Sequence, residues 1–124
     1  MLFLCSLLTI YKKFCALNLI KSPLACKNKE EIRNQIDVID AEIIRLFALR
    51  QDYVHEIVKF KKDIKSIIAL KRKNKVIEIR GKWAEDLGLD KVVFEEIFRL
   101  LIEHNIQEEM QILNNQKKTK KSCI

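Results

Sequence analysis

The sequence predicts an all-α fold, a three-helix protomer whose N-terminal helix is much the longest. Helix breakers are rare, since the 124 residues include 2 glycines and 1 proline, too few for the turns of a sheet protein. Apolar residues also recur at alternating spacings of four and three, the periodicity of a helix that packs along one side. A chain of this length forms a single domain at most.

The long first helix is predicted over residues 27–62. Asn28 and Glu31 resemble a capping box at its start. Its apolar seam consists of Ile32, Ile36, Ile39, Ile43, Leu46, Tyr53, Ile57, Phe60 and Ile64. Arg50 interrupts this seam where the spacing calls for an apolar residue. A helix this long cannot bury its apolar stripe alone, so we expect a partner chain.

Two shorter helices are predicted after a loop over residues 63–70. The second helix opens at the run KRKNK, residues 71–75, and ends at Gly88, since glycine is common just past a helix end. Asp90 can cap the third helix. Glu109 falls within the arc of the apolar residues of that helix, which predicts a buried carboxyl group.

The folded domain is predicted over residues 21–113. Residues 1–20 form an apolar leader or extension whose charge follows the apolar run, unlike a secretory signal, and whose run is too short to span a bilayer. We therefore expect a cytoplasmic protein, or an exported one if residues 1–20 act as a signal. Residues 114–124 are basic and predicted to be disordered. The four cysteines lack the spacing of a zinc site or a disulfide framework, which indicates free thiols.

The net charge of +7 would suit nucleic acid, but its distribution argues against that partner. Residues 1–27 and residues 117–124 each contain four lysines and no acidic residue, so removing these eight charges leaves −1 for the middle. We predict no nucleic-acid partner and no membrane partner. His55 and His104 are isolated in the sequence, and no metal site is predicted.

The candidate site combines cations with one interior carboxyl group: Arg33, Arg50, Lys61, Arg72 and Glu109. A guanidinium in an apolar seam is costly to desolvate unless an anion meets it. Lys61 lies eleven residues after Arg50, which returns it to within about 20° of the same side of a helix. This pattern indicates a small dianionic substrate and electrostatic catalysis. Alternatively, each charge is structural, in a surface pair, a snorkelling side chain or a solvated run.

Several stretches together resemble the all-helical type II chorismate mutase family, and most closely its isochorismate pyruvate lyase branch. They are IRNQIDVIDAEIIRLFALRQDYV, then FK, a loop ending in Arg72, KWAEDLGLD and IFRLLIEHNIQEEM. The resemblance extends without a gap from Ser22 to about Ile112. The spacings of 17 residues from Arg33 to Arg50 and 11 from Arg50 to Lys61 are also those of the family.

The resemblance implies an intertwined homodimer that uses no cofactor and no metal. Arg33 would be donated by the neighbouring subunit, and in the family the residues matching Arg33 and Arg50 hold the substrate carboxylates. Lys61 matches the residue that reaches the ether oxygen of the breaking bond, and Glu109 matches a second donor to that oxygen. Arg72 would come from the same chain as Arg50. The pocket walls would be Tyr53, Val54, Val76 and Ile106.

The activity implied is that of a chorismate mutase, which forms prephenate in aromatic amino acid biosynthesis. The alternative is isochorismate pyruvate lyase, which releases salicylate and pyruvate in salicylate biosynthesis. A third interpretation is a non-catalytic helical dimer that binds nucleic acid or a small di-acid.

Two positions depart from the family pattern. Many members have Gln where this chain has Glu109. An ionised carboxylate would repel the ether oxygen, so Glu109 must be protonated to donate, and we expect activity to fall as the pH rises. Mutases place an acid for the ring hydroxyl in the loop before the second helix, whereas this chain has Ala69, as in the lyase branch.

Overall fold

The computed structural model describes residues 21–123, where helix is the only regular secondary structure. The helices are α1 (Lys29–Ile57), α2 (Ile64–Ile68), α3 (Leu70–Asp86) and α4 (Lys91–Ser122). Single turns of 3-10 helix occupy Pro23–Ala25 and Val58–Phe60. The predicted all-α class, with three long helices, is confirmed. The predicted leader over residues 1–20 lies outside the described residues.

The start of α1 is close to the prediction. The Glu31 backbone N–H donates to Oδ1 of Asn28 at 2.9 Å, and the Glu31 side chain accepts from the backbone N–H of Lys27 at 2.8 Å. These bonds satisfy donors that the first turn of a helix leaves unpaired. The helix ends at Ile57, earlier than the sequence predicts, because the chain tightens there into the 3-10 turn.

The chain divides into two compact units, one up to Phe47 and one from Ala48 onward, so that α1 contributes to both. In the first unit, the seam residues of α1 are largely open to solvent. Ile32, Ile36, Ile43 and Leu46 are 41–50% exposed, and no residue of α1 is fully buried. Within the described part of the chain, these side chains are therefore only partly covered.

The second unit has a small apolar core formed by Val58, Ile67, Ile106 and Leu113. Ile67 belongs to α2, in the segment that the sequence predicts as a loop. Asp63 and Ser66 form a capping box for α2, in which the Ser66 backbone N–H donates to Asp63 at 2.8 Å. The loop prediction is wrong here because a five-residue helix is too short to display a helical period.

Helix α3 packs against α4 along a face with a glycine near its centre. A Cβ atom at Gly81 would lie 2.5 Å from Cγ of Glu95 on α4, so only glycine permits this approach without a shift. The buried face also includes Val76, Ile77 and Ala84. Trp83 of the same helix is 50% exposed.

Helix α4 begins at its predicted cap and continues beyond its predicted end. Oδ1 of Asp90 accepts a hydrogen bond from the backbone N–H of Val93 at 3.1 Å. The preceding Gly88 has a φ of 79°, a conformation that favours glycine. The sequence predicts disorder over residues 114–124, whereas the helix continues to Ser122. Residues 114–122 contain no glycine or proline, and lysines in the last turn interact favourably with the helix dipole.

Candidate active site

A pocket of about 300 Å³ lies in the second unit, lined by side chains of α1, α3, α4 and the segment between α1 and α3. Eight of the nine residues predicted for the site line it. They are Arg50, Tyr53, Val54, Lys61, Arg72, Val76, Ile106 and Glu109. The ninth, Arg33, is an exposed residue of α1 in the first unit. The roles of all nine in binding and catalysis stay predictions.

Lys61 and Glu109 form a largely buried ion pair at the pocket. Nζ of Lys61 donates to Oε2 of Glu109 at 2.5 Å, and the two side chains are 18% and 7% exposed. Lys61 directly follows the 3-10 turn, and Glu109 lies on the buried face of α4, as the sequence pattern predicts. Pairing offsets the cost of removing both charges from water. An ammonium has three N–H donors, so two remain available to a ligand.

Arg50 is half-buried and hydrogen-bonds to a neutral side chain. Its guanidinium donates to Oδ1 of the buried Asn105 at 2.6 Å. Burial lowers the pKa of Arg50, while attraction to Glu109 acts in the opposite direction. Among the described residues, Arg50 makes no ion pair. Its positive charge is therefore available to an anionic ligand.

Helix α3 lines the pocket with side chains that recur every four residues. They are Arg72, Val76 and Arg80. The Arg80 guanidinium stacks on the ring of Trp83, 4.4 Å from the ring centroid. Burial lowers the pKa of Arg80, and repulsion from Arg72 and Arg50 lowers it further. The pocket therefore brings three guanidinium groups into electrostatic range of one another.

Asn105 and Arg80 are pocket residues that the sequence analysis missed. Asn105 lies one helical turn before Glu109, and Arg80 lies two turns after Arg72, so helical spacing from predicted residues could have found both. Spacing on one helix alone does not reveal which polar residues face a cleft. Lys73 was also missed, and its charge is balanced by Glu103 at 2.9 Å.

A polar cluster around Glu108 links α1 to α4 beside the pocket. Nε2 of Gln51 donates to both carboxylate oxygens, at 2.9 and 3.1 Å, and Nε2 of His55 lies 3.3 Å from Oε2. Nε2 of His104 lies 3.4 Å from Oε1. Burial raises the pKa of Glu108, but hydrogen bonds from His55 and Gln51 outweigh it and hold the pKa below its ordinary value. Since Glu108 directly precedes Glu109 in the chain, the cluster helps to hold this part of α4 against α1.

Ala69 is the single residue between α2 and α3, and it lines the pocket. Its backbone has φ 37° and ψ 55°, the left-handed conformation. This conformation costs an L-amino acid about 1 kcal/mol or more. The sharp turn brings α2 and the start of α3 to the same pocket wall.

Residues 21–123 contain no group of three or more His, Cys, Asp or Glu side chains arranged to hold a metal ion. None of the described helices has the length and the apolar content that crossing a membrane requires. Cys26 and Cys123 are free thiols.

The charges at the pocket are suited to a small dianion. Five cationic side chains line it, and Glu109 is the one carboxylate among the described lining residues. Lys61 and Lys73 are paired with carboxylates, whereas the three arginines have no such partner within the described residues. No described lining residue is Ser, Cys or His, the common nucleophiles. The arrangement suits the positioning and electrostatic stabilisation of an anionic ligand.

The helical fold and the cationic pocket define a class of small helical proteins that can hold a dianion. The chain belongs to the chorismate mutase type II family, whose model matches residues 32–110. It is similar to an isochorismate pyruvate lyase from Pseudomonas aeruginosa, with 34% identity over 92 residues, which cover 74% of this chain and 91% of that protein. The family resemblance found in the sequence is confirmed.

Proposed function

We propose that this protein is a chorismate mutase that converts chorismate to prephenate. The observation that carries the proposal is the pocket of about 300 Å³ in which Lys61 and three arginines surround space for a small dicarboxylate. Membership of the chorismate mutase type II family supports the same substrate class.

The proposed reaction is concerted and needs no nucleophile. Arg50, together with Arg33 donated by a second protomer, would hold the substrate carboxylates, and Arg72 would line the same pocket, so that the enolpyruvyl arm stays folded over the ring. Lys61 would donate to the ether oxygen as negative charge grows there. In the structure Lys61 donates to the Glu109 carboxylate. Glu109 would therefore supply a second donor only after it releases Lys61 and takes up a proton from solvent.

Isochorismate pyruvate lyase is the alternative function, and two observations favour it. The relative from Pseudomonas aeruginosa has that name. Ala69 also lines the pocket, and a methyl group cannot bind a ring hydroxyl as the acid of the mutases does. The elimination breaks the same type of C–O bond in a similarly compact conformer, so the same cations would serve it.

We further propose a homodimer in which Arg33 of one protomer completes the pocket of the other. The exposed apolar seam of α1 supports this proposal, because a second copy of the helix would remove it from water. Arg33 stands one residue from Ile32 of that seam. The free thiols fit a reducing compartment, and we propose that the dimer is cytoplasmic.

A paired assay tests the proposed function. The purified protein is supplied with chorismate and isochorismate separately, and prephenate formation and salicylate release are followed at acidic and neutral pH. Prephenate from chorismate with little salicylate supports the mutase, and efficient salicylate release assigns the protein to the lyase. Turnover of neither substrate contradicts both and leaves the non-catalytic binding module.

A further inference from the structure

Arg80 is a pocket cation to which the proposed reaction assigns no role. It lines the pocket from α3, beyond Val76 and Arg72, and is half-buried. Within the described residues it has no carboxylate partner. A partly desolvated guanidinium without a counter-ion is unfavourable, so a surface arginine would gain by turning into solvent.

One contact holds Arg80 at the pocket. Its guanidinium stacks on Trp83 at 4.4 Å, a contact that orients the planar group. The rest of its surroundings oppose its charge, since burial and repulsion from Arg72 and Arg50 all lower its pKa. An anion between these guanidinium groups would replace that repulsion with attraction. The arrangement of these guanidinium groups therefore favours the binding of an anion between them.

The spacing along α3 fits a ligand with two anionic ends. Arg72 and Arg80 are eight residues apart, about 12 Å along the helix axis. Val76 lies between them and supplies an apolar surface in the middle of the row. Arginine side chains are long enough to converge from these two positions, so a compact dicarboxylate whose ring lies over Val76 can meet a guanidinium on each side.

We infer that Arg80, oriented by Trp83, binds one of the two carboxylates of the dianionic substrate. The inference rests on the proposed function for the identity of the substrate. It assigns to Arg80 a contact that Arg50 and Arg72 do not replace, because Arg80 lies at the other end of the α3 row from Arg72. Arg80 is then a binding residue whose removal weakens substrate affinity more than turnover.

Steady-state kinetics of Arg80→Gln, Arg80→Lys and Arg99→Gln test the inference. Arg99 is the matched control, because it lies on α4, hydrogen-bonds to Glu96 at 3.3 Å and does not line the pocket. Loss of a hydrogen bond to a charged group predicts a KM about 10- to 100-fold higher for Arg80→Gln, with a smaller change in kcat. Arg80→Lys should restore part of the affinity, and Arg99→Gln should match the wild type.

Trp83→Leu separates orientation from charge. Removing the stacked ring while leaving the guanidinium should raise KM about two- to fivefold. Circular dichroism melting of each variant identifies loss of folding, and a variant that melts early is compared at a temperature where it is fully folded. If Arg80→Gln and Arg99→Gln have the same KM as the wild type, the inference is overturned while wild-type turnover still supports the proposed function.

Calorimetric titration with chorismate covers the case in which the wild type turns over neither substrate. That result contradicts the proposed reactions, but the role of Arg80 in binding a dicarboxylate is still measured directly. Tighter binding of chorismate to the wild type than to Arg80→Gln supports the inference. Equal affinities, or no binding by either protein, overturn it.

Discussion

The two units of the chain share one departure from the usual distribution of residues and differ in another. Both expose apolar side chains, such as Ile36 of the first unit, which is 50% exposed, and Phe60 of the second, which is 83% exposed. The second buries charge, since Glu109 is 6% exposed and pairs with Lys61. Exposed apolar patches mark surfaces that bind other molecules, and buried charges mark sites that bind ions or do chemistry. The comparison indicates two binding surfaces. The exposed apolar side chains suit a second chain, and the buried charges suit a dianion.

The largest expected effect is that of Lys61→Ala. Removing the donor to the ether oxygen should lower kcat by about 10² to 10³-fold, or 3–4 kcal/mol. Lys59→Ala is the control, since Lys59 pairs with Glu56 on the surface and does not line the pocket. If Lys61→Ala has a kcat close to that of the control, the catalytic role proposed for the buried Lys61 is contradicted.

Lys61→Ala also leaves Glu109 buried without a partner, which can destabilise the protein by itself. The double variant Lys61→Ala/Glu109→Gln removes that unpaired charge. It should regain stability in thermal melts without regaining turnover.

Mixing Arg33→Ala with Arg50→Ala tests the partner of the first unit. Each variant alone should be inactive. In a mixed dimer one site has both arginines and the other has neither. Free exchange of equal amounts makes about half of the dimers mixed, so the mixture should have about one quarter of the wild-type activity, averaged over all sites. The measurement is activity after subunit exchange, with each variant incubated alone as the control. No recovery despite exchange detected by mass spectrometry would show that Arg33 does not act across an interface.

Glu109→Gln sharpens the account of the buried carboxyl group. An amide donates a hydrogen bond at any pH, whereas a carboxyl group donates only when protonated. At neutral pH the kcat of the variant should be at least that of the wild type, because its amide is a donor without taking up a proton. A kcat far below that of the wild type would contradict Glu109 as a donor.

Gly81→Leu tests the helix contact that supports the pocket. The larger side chain collides with Glu95, so α3 and α4 must separate, at a cost of about 1–3 kcal/mol in the free energy of unfolding. Gly81→Ala should have a smaller effect, because its gain in helix propensity offsets the displacement of a flexible side chain. Urea denaturation measures both, and equal stabilities of Gly81→Leu and the wild type would contradict this close approach.

The smallest expected effect is that of Glu108→Gln. The hydrogen bonds that lower the pKa of Glu108 below its ordinary 4.5 stabilise the folded state above that pH, and their contribution is lost as the pH falls through the lowered pKa. At pH 7 the variant should be less stable by no more than about 0.5 kcal/mol, because solvent screens the charge of this partly exposed carboxylate. Denaturation of both proteins at pH 7 and pH 3 checks this. If the wild type exceeds the variant in free energy of unfolding by more at pH 3 than at pH 7, the prediction is contradicted.

Much of the fold could be predicted because it depends on local chemistry. The caps at Asn28 and Asp90 lie next to the helices that they start, and the spacing of the seam extends over many turns of α1. The short helix α2 could not be predicted, since five residues show no period. The helical continuation over residues 114–122 was missed because a polar, basic run has no apolar stripe to indicate a helix.

The candidate site was predictable where a residue was out of place in its own helix. Arg50 interrupts an apolar seam, and Glu109 lies among apolar residues of α4, so both can be recognised from the sequence alone. Arg80 and Asn105 lie on helix faces where polar residues are ordinary. Only the packing of α3 and α4 around one pocket distinguishes them from solvated side chains.

Glu109 competes with any incoming carboxylate for Lys61, because the two side chains already form an ion pair. An incoming carboxylate gains little by replacing one that already binds Lys61 at 2.5 Å. Net binding therefore comes from groups that the pair does not satisfy, the guanidiniums of Arg50 and Arg72 among them. On the proposed function, we expect a small monoanion to bind weakly and a ligand with two carboxylates and an ether oxygen to bind tightly. A ligand with the right charge but too few groups would gain too little free energy to displace the ion pair.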